Sequence, residues 1–422
     1  MPNWQSLADG SSDRIGYGQF TTTIYHPGMM KSMCGAAVLV AMSLIAVGSA
    51  VEPMPTPVVD CSTMTVENLD DCVRLNHIQM LGTHNSYHVA PQSAILAALG
   101  ERGSSLDYTH KPLVEQLSKL GIRQVELDVF ADPEGGRFAL PAMLRTIKGL
   151  EPPGPELQTP GFKVLHVQDI DYRTTCATFV ACLGAIREWS RVNPWHVPIL
   201  ILVEAKDSPI EDPEKLGYVK PLPIDRAALR ALETEIRSVF SMEHIITPDR
   251  VRGRHRTLSS AIQSEGWPPL RAVRGKVLFA LDNTDEHRAE YLRGNPSLED
   301  RVMFVSSAPG EPSAAFVKLN EASGEQESRI REVVKNGYLV RTRADIPTEE
   351  ARSGSTVRRD AAFRSGAQYV STDYPELSPY GSGYRARLPD AERLSARCNP
   401  VTAPVGCRNE WLEMVRSNTA KH

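Results

Sequence analysis

Residues Gln124–Phe130 read QVELDVF, and residues Pro198–Val203 read PILILV and end in Glu204-Ala205-Lys206. Both are short runs rich in Val, Ile and Leu, the composition of strands buried on both faces of a parallel sheet. Both also carry acids. Glu126 and Asp128 stand two apart and therefore share a face, as do Glu204 and Lys206. Similar runs recur at His77–Gly82 (HIQMLG), Lys163–Val167 (KVLHV), Lys276–Leu281 (KVLFAL), Val302–Ser306 (VMFVS), Tyr338–Thr342 (YLVRT) and Gln368–Thr372 (QYVST). Helical patterns lie between them at Lys111–Leu120, Ala177–Arg191, Ala227–Phe240, Glu325–Lys335 and Arg358–Arg364. Gly121, Gly337 and Gly366 stand where C-terminal caps belong. Eight strands alternating with helices over residues 77–376 predict an α/β fold, a (β/α)8 TIM barrel. A doubly wound open sheet is the alternative, but no GxGxxG follows any strand.

In such a barrel, chemistry sits at the C-terminal ends of the strands. The first strand runs into Gly82-Thr83-His84-Asn85-Ser86, the second carries Glu126 and Asp128, and the third carries His166. Glu204 and Lys206 end the fourth, Asp282 the fifth, Arg341 and Arg343 the seventh, and Asp373 the eighth. So many polar groups at one rim is more than chance placement supplies. Asn85, Glu126, Asp128 and Glu204 offer only oxygen atoms, which suits a hard divalent cation such as Ca2+, with Mg2+ the alternative. Zinc would want His or Cys. Two histidines beside such an ion suit acid–base cleavage of a phosphate ester, one imidazole taking a proton and the other returning one.

The set H-N-S-Y at His84–Tyr87, E-L-D at Glu126–Asp128, His166 and Glu204 resembles the phosphatidylinositol-specific phospholipase C superfamily of barrels, above all its secreted, calcium-dependent bacterial branch. Supporting phrases are QLSKLGIR (Gln116–Arg123), GWPPLRAVRGKVLFAL (Gly266–Leu281), LVRTRAD (Leu339–Asp345) and STDYP (Ser371–Pro375). The resemblance implies that His84 is the base toward the inositol 2-hydroxyl and that His166 donates to the diacylglycerol oxygen. It makes Asn85, Glu126, Asp128 and Glu204 the calcium ligands, and a cyclic inositol phosphate the first product. Lys206, Arg341, Arg343 and Asp373 are then candidates for substrate binding. Glu204-Ala205-Lys206 also resembles the E-x-K of glycerophosphodiesterases, which usually carry His-Arg-Gly where this chain has His84-Asn85-Ser86; they supply the alternative function. A calcium-binding barrel without catalysis is the second alternative.

Plainer readings stand beside these. Asp282 and Asp373 could cap turns, and Arg341 and Arg343 could pair with Asp345 and neighbouring acids. His88, Tyr108 and His110 fall in the loop after the first strand and could touch substrate, though surface residues there are ordinary. Trp267 reads as packing against the barrel.

The N-terminal part speaks to compartment. Cys34–Val47 reads CGAAVLVAMSLIAV, without a charge, preceded by Lys31 and followed by Gly48-Ser49-Ala50. That is the pattern of a secretory signal, and a helix of that length falls short of the roughly 30 Å hydrocarbon core. The expected organisation is an over-extended leader at 1–29, a signal peptide at 30–50, an extension at 51–76, the barrel at 77–376 and a tail at 377–422. The Pro-rich stretches 52–58 and 151–160 read as a linker and an inserted loop. Of the 7 cysteines, Cys34 would leave with the signal. Cys61, Cys72, Cys176, Cys182, Cys398 and Cys407 remain, an even set that reads as disulfides in a secreted or periplasmic protein. Local pairing is the first choice, and a cross-link between the 61/72 and 398/407 groups is the rival. The 422 residues carry a net charge of −4, which argues against a nucleic-acid binder and shows no broad basic membrane-docking face. The resemblance implies phosphatidylinositol or a related phosphodiester as the partner, and the expectation includes peripheral membrane contact and a monomeric state.

Overall fold

Gln124–Phe130 is a strand buried along its whole length, and its neighbours on the sheet are parallel. The computed structural model describes residues 59–212 and 214–413, so the leader and signal segments lie outside the described residues. Residues from Asp60 onward make one unit; a second grouping, Asp13–Val59, lies outside the described residues but for Val59. The strands are β1 (Ile78–Thr83), β2 (Gln124–Phe130), β3 (Lys163–Val164), β4 (Ile199–Ala205), β5 (Val277–Leu281), β6 (Met303–Val305), β7 (Phe316–Lys318), β8 (Leu339–Arg343), β9 (Tyr369–Thr372) and β10 (Ala396–Cys398). The order β6-β5-β4-β2-β1-β9-β8-β7 is parallel throughout, and a parallel bridge between Ser306 and Phe316 brings its two ends together. The result is an eight-stranded TIM barrel.

The count of eight stands, but one member differs from the sequence expectation. Lys163–Val167 is not a barrel strand. Its first two residues form β3, which runs antiparallel on β2, and the rest turns away as an arm. Those residues are apolar because the arm is buried against other loops, not because they line the barrel. The missing strand is β7, only three residues long and therefore too short to stand out by periodicity.

Among the helices between the strands are α1 (Leu113–Lys119), α2 (Phe179–Val192), α3 (Arg226–Val239), α4 (Glu286–Leu292), α5 (Glu325–Lys335) and α6 (Val357–Ser365). Each begins or ends for a local reason. Thr178 caps α2 through Ala181 N–H, and Asp225 caps α3 through Ala227 and Ala228 N–H. Leu229, Leu232 and Ile236, at helical spacing, are buried in the core. Helix α4 has a mostly polar sequence and went unseen; Asp285 starts it by accepting from His287 N–H. Gly366 closes α6 with φ +81°, and an added Cβ there would fall 2.4 Å from Val401 Cγ2. Ser306–Ala315 joins β6 to β7 without a helix.

Trp267 is fully buried, its ring tilted against Phe304 with centroids 5.4 Å apart, the packing role expected of it. Gly82 is needed at the β1–β2 seam, because an added Cβ would lie 1.9 Å from Gln124 Oε1. That amide is held in place by its own bond from Nε2 to Thr83 O. At the N-terminal ends of the strands, the last described residues fold back on the barrel. Arg123 and Glu413 pair at 2.6 Å, and Val197 N–H donates to Glu413 Oε1. The disulfides are local: Cys61–Cys72, Cys176–Cys182 and Cys398–Cys407. Among the described residues no helix is long and apolar enough to cross a membrane.

Candidate active site

Strand register assembles the acids. Asp128 of β2 pairs with Glu204 of β4, and Val203 pairs with Leu281, so Asp282 emerges level with Glu204. One oxygen each of Glu126, Glu204 and Asp282 lies within 4.8 Å of the others, all buried. Cations face them. Arg341 reaches across from β8 to Glu126 Oε2 (2.6 Å), Lys318 binds Asp282 Oδ2 (2.7 Å), and Lys206 stands 3.3 Å from Asp128 Oδ2 and 3.4 Å from Glu204 Oε1. Burial pushes the Glu126 carboxyl up to about 7 against the pull of Arg341, and raises Asp128 well above the carboxylate range against Lys206. Asp282 goes the other way, because Lys318 and Arg341 outweigh its burial.

Two buried oxygens here accept no hydrogen bond among the described residues, Asn85 Oδ1 and Asp282 Oδ1, and Asp128 Oδ2 has the Lys206 ammonium no nearer than 3.3 Å. Buried acceptors left without donors are costly, and a cation is one way to satisfy them. Asn85 stands at the end of β1 with φ +43°, a backbone setting Asn tolerates better than most residues. Its Nδ2 donates to Tyr108 OH, which leaves Oδ1 to serve as a ligand. An all-oxygen set of this size and charge fits Ca2+, which takes about 6–8 such ligands.

The two histidines are set from opposite sides. His84 follows β1, and because Thr83 pairs with Thr372 of β9, it comes level with Asp373. Its Nδ1 is 3.0 Å from Asp373 Oδ1, while Nε2 is 3.8 Å from Glu126 Oε1. Arg343 Nη2 lies 3.4 Å from both His84 Nδ1 and Asp373 Oδ2. Burial, helped by Arg343 and opposed by Asp373, pushes the imidazole down to about 3. Asp373 is itself buried, yet His84, His110 and Arg343 hold it below the usual carboxylate range. Asp345 backs it: Asp373 N–H donates to Asp345 Oδ1 at 2.9 Å.

His166 lies on the arm after β3. Val167 and Asp171 exchange backbone hydrogen bonds of 3.1 and 2.9 Å, closing a tight turn with Asp169 at φ +69°. This turn returns Asp171 to His166, whose Nδ1 is 2.7 Å from Asp171 Oδ2. The same oxygen meets His88 Nε2 at 2.7 Å, and His88 Nδ1 donates to Tyr108 O. Burial lowers the His166 imidazole, against the bond to Asp171. Asp169 ties the arm to two other loops by accepting from Ala142 N–H and Val219 N–H.

His84, Asn85, Glu126, Asp128, Glu204, Lys206, Asp282, Arg341, Arg343 and Asp373 lie on or directly after barrel strands, whereas His166 comes from the arm after β3. Arg341, Arg343 and Asp373, read as substrate contacts, are buried; Arg341 donates to Glu126 and Asn320, while Arg343 and Asp373 lie against His84 and each other. Lys206, with 18% of its side chain exposed, is the most open of these cations. His88, Tyr108 and His110, where ordinary surface residues were an alternative, are buried around the histidines. Asp171 and Lys318 were missed. Asp171 falls in a loop, and Lys318 ends the strand that went unseen. Asp282 joins the acids instead of only capping a turn.

Two histidines with their Nδ1 atoms against buried carboxylates thus lie beside a cluster of buried acids at the C-terminal rim of a parallel barrel. A family model described as phosphoinositide phospholipase C, Ca2+-dependent, matches residues 73–400, and the chain belongs to that family. It is thus a phosphoric diester hydrolase of a family that depends on Ca2+. No curated protein sequence matches it significantly. Among solved structures it is similar to a calcium-dependent phosphoinositol-specific phospholipase C from a Gram-negative Pseudomonas species, at 14% identity and TM-score 0.46 over 77% of this chain and 95% of that one. It is also similar to a Ca2+-dependent phosphatidylinositol-specific phospholipase C from Streptomyces antibioticus, at 18% identity and TM-score 0.45, covering 72% and 95%. A third, from S. aureus, comes from work on modulation of its membrane binding; it shares 11% identity and TM-score 0.39, covering 75% and 94%.

Proposed function

We propose that the protein cleaves the glycerol–phosphate bond of phosphatidylinositol by His/His acid–base catalysis. His84 Nε2 takes the proton of the inositol 2-hydroxyl while Asp373 holds Nδ1–H. The freed oxygen attacks phosphorus, the bond to the diacylglycerol oxygen breaks, and His166 gives that oxygen its proton. The products are diacylglycerol and a cyclic inositol phosphate, which water then opens with the two histidines exchanging roles. The observation that carries this reading is that each imidazole has its Nδ1 tied to a buried carboxylate, at 3.0 Å to Asp373 and 2.7 Å to Asp171. Nε2 is left for proton transfer in both.

Asn85, Glu126, Asp128 and Glu204 would hold Ca2+, with Asp282 a fifth oxygen donor. When bound, the ion offsets charge on the phosphoryl oxygens and eases ionisation of the attacking hydroxyl. Arg341 and Arg343 act behind these groups, fixing Glu126 and Asp373, while Lys206 is the cation best placed to meet the phosphate. Three disulfides support a secreted or periplasmic location. We read the protein as a monomer that reaches its lipid by peripheral contact.

The closeness of Lys206 to Glu204 keeps a glycerophosphodiesterase as the second reading. Incubating the protein with phosphatidylinositol micelles, with Ca2+ and then with chelator, separates them. Ca2+-dependent release of water-soluble inositol phosphate is expected. Cleavage of glycerophosphodiesters alone supports the second reading, and Ca2+ binding without any turnover supports a non-catalytic barrel.

A further inference from the structure

Three cations stand among the four acids, and they are not equivalent. Arg341 and Lys318 have side chains 1% and 6% exposed. Each binds a single acid at hydrogen-bond distance, through Glu126 Oε2 and Asp282 Oδ2, and leaves the other oxygen of that acid available. Lys206 differs on both counts. Its side chain is 18% exposed, and its ammonium lies 3.3 Å from Asp128 and 3.4 Å from Glu204. Those distances exceed the roughly 2.7–2.9 Å of a tight charge-assisted bond. Lys206 is held by two acids, loosely, with an open side.

Ca2+ requires oxygens at about 2.3–2.6 Å, so a calcium ion that takes Asp128 Oδ2 and Glu204 Oε1 competes with the ammonium for the two oxygens it now faces. The two positive charges repel strongly at that range in a buried site. We propose that Lys206 is a resident counter-ion, displaced by the incoming calcium from Asp128 and Glu204, and that the released ammonium then faces the substrate phosphodiester. The proposal rests on the calcium site assigned above. Calcium binding and phosphate capture are thereby linked through one side chain. Arg341 and Lys318 stay in place and keep Glu126 and Asp282 aimed.

Removing the ammonium should therefore have opposite effects on metal and substrate. Calorimetric titration of the full chain with CaCl2 alone is compared for wild type, Lys206→Met and Lys111→Met. Lys111 carries an exposed charge paired with Glu376 and serves as a control for lost charge. Lys206→Met should bind Ca2+ at least about tenfold more tightly, and Lys111→Met should stay within about twofold of wild type. At saturating Ca2+, Lys206→Met should lose about tenfold or more in kcat/KM on phosphatidylinositol. Circular dichroism checks the fold, and Lys206→Gln replaces the Met variant if that one does not fold. Equal or weaker Ca2+ binding in the Lys206 variant, or equal tightening in Lys111→Met, overturns the proposal while leaving the calcium site standing. No Ca2+ binding by wild type overturns both.

Discussion

Asp171→Asn is the substitution whose consequence the structure states most sharply. One oxygen, Asp171 Oδ2, meets His166 Nδ1 and His88 Nε2 at 2.7 Å each, and all three side chains are buried. Asn keeps the volume and removes the charge. Its amide can offer His166 a donor in place of an acceptor, which turns the imidazole to the wrong tautomer. A charge-assisted hydrogen bond contributes about 1.5–3 kcal/mol. Two such bonds make roughly 3–6 kcal/mol, and expressed in the transition state that is a loss of about 10²–10⁴ in kcat. The loss should fall on kcat more than on KM, because Asp171 orients an acid and does not itself grip the lipid. Initial rates on phosphatidylinositol micelles at saturating Ca2+ supply the assay, with Ca2+ affinity followed by calorimetry as a control that should not move. A variant within about fivefold of wild type in kcat would refute the role given to Asp171, and so the positioning of His166.

Other outcomes can be checked alongside. Chelation should abolish turnover yet leave the far-ultraviolet dichroism intact, because Arg341, Lys206 and Lys318 already face the acids; Ca2+ at 100 times its Kd should add about 2.7 kcal/mol of stability. No rise in melting temperature with Ca2+ would count against the site. The double variant Cys176→Ser/Cys182→Ser frees the arm that carries His166 and Asp171 from the start of α2. A loop this short predicts a loss of only about 2 kcal/mol in stability, and activity should fall by more than the unfolded fraction explains. Burial pushes His196 down to about 4, with Nδ1 donating to Val197 O and Nε2 beside Ser190 Oγ. The folded state prefers the neutral ring, so its contribution is complete above pH 6.5 and is lost as pH falls from 6.5 toward 4, by about 3 kcal/mol in all. In urea melts at pH 7 and pH 4.5, His196→Gln should lose less stability on acidification than wild type.

The barrel was legible because most of its strands are long enough to be read. QVELDVF and PILILV announce buried parallel strands, and their paired acids announce the rim. Legibility failed where local pattern and position part company. KVLHV is as apolar as a barrel strand because it packs as an arm among loops, and FVK at 316–318 is a barrel strand too brief to carry a period. The histidines and acids were readable as chemistry, since Asn85, Glu126, Asp128 and Glu204 share one donor type and sit at strand ends. Their partners were not. Asp171 reaches His166 only through a five-residue turn, and Arg341 reaches Glu126 from two strands beyond β1. Such pairings come from closing the barrel, which no run of neighbouring residues encodes.

In the proposed reaction the attacking group is the inositol 2-hydroxyl, with His84 as its base. Phosphorus NMR of phosphatidylinositol micelles during turnover with Ca2+ tests that most directly. A cyclic inositol phosphate resonance should rise first and then give way to the opened monoester, and His84→Ala should slow its appearance by about 10²–10⁴. Direct formation of the monoester with no cyclic species at any time, or full-rate turnover by His84→Ala, would contradict it.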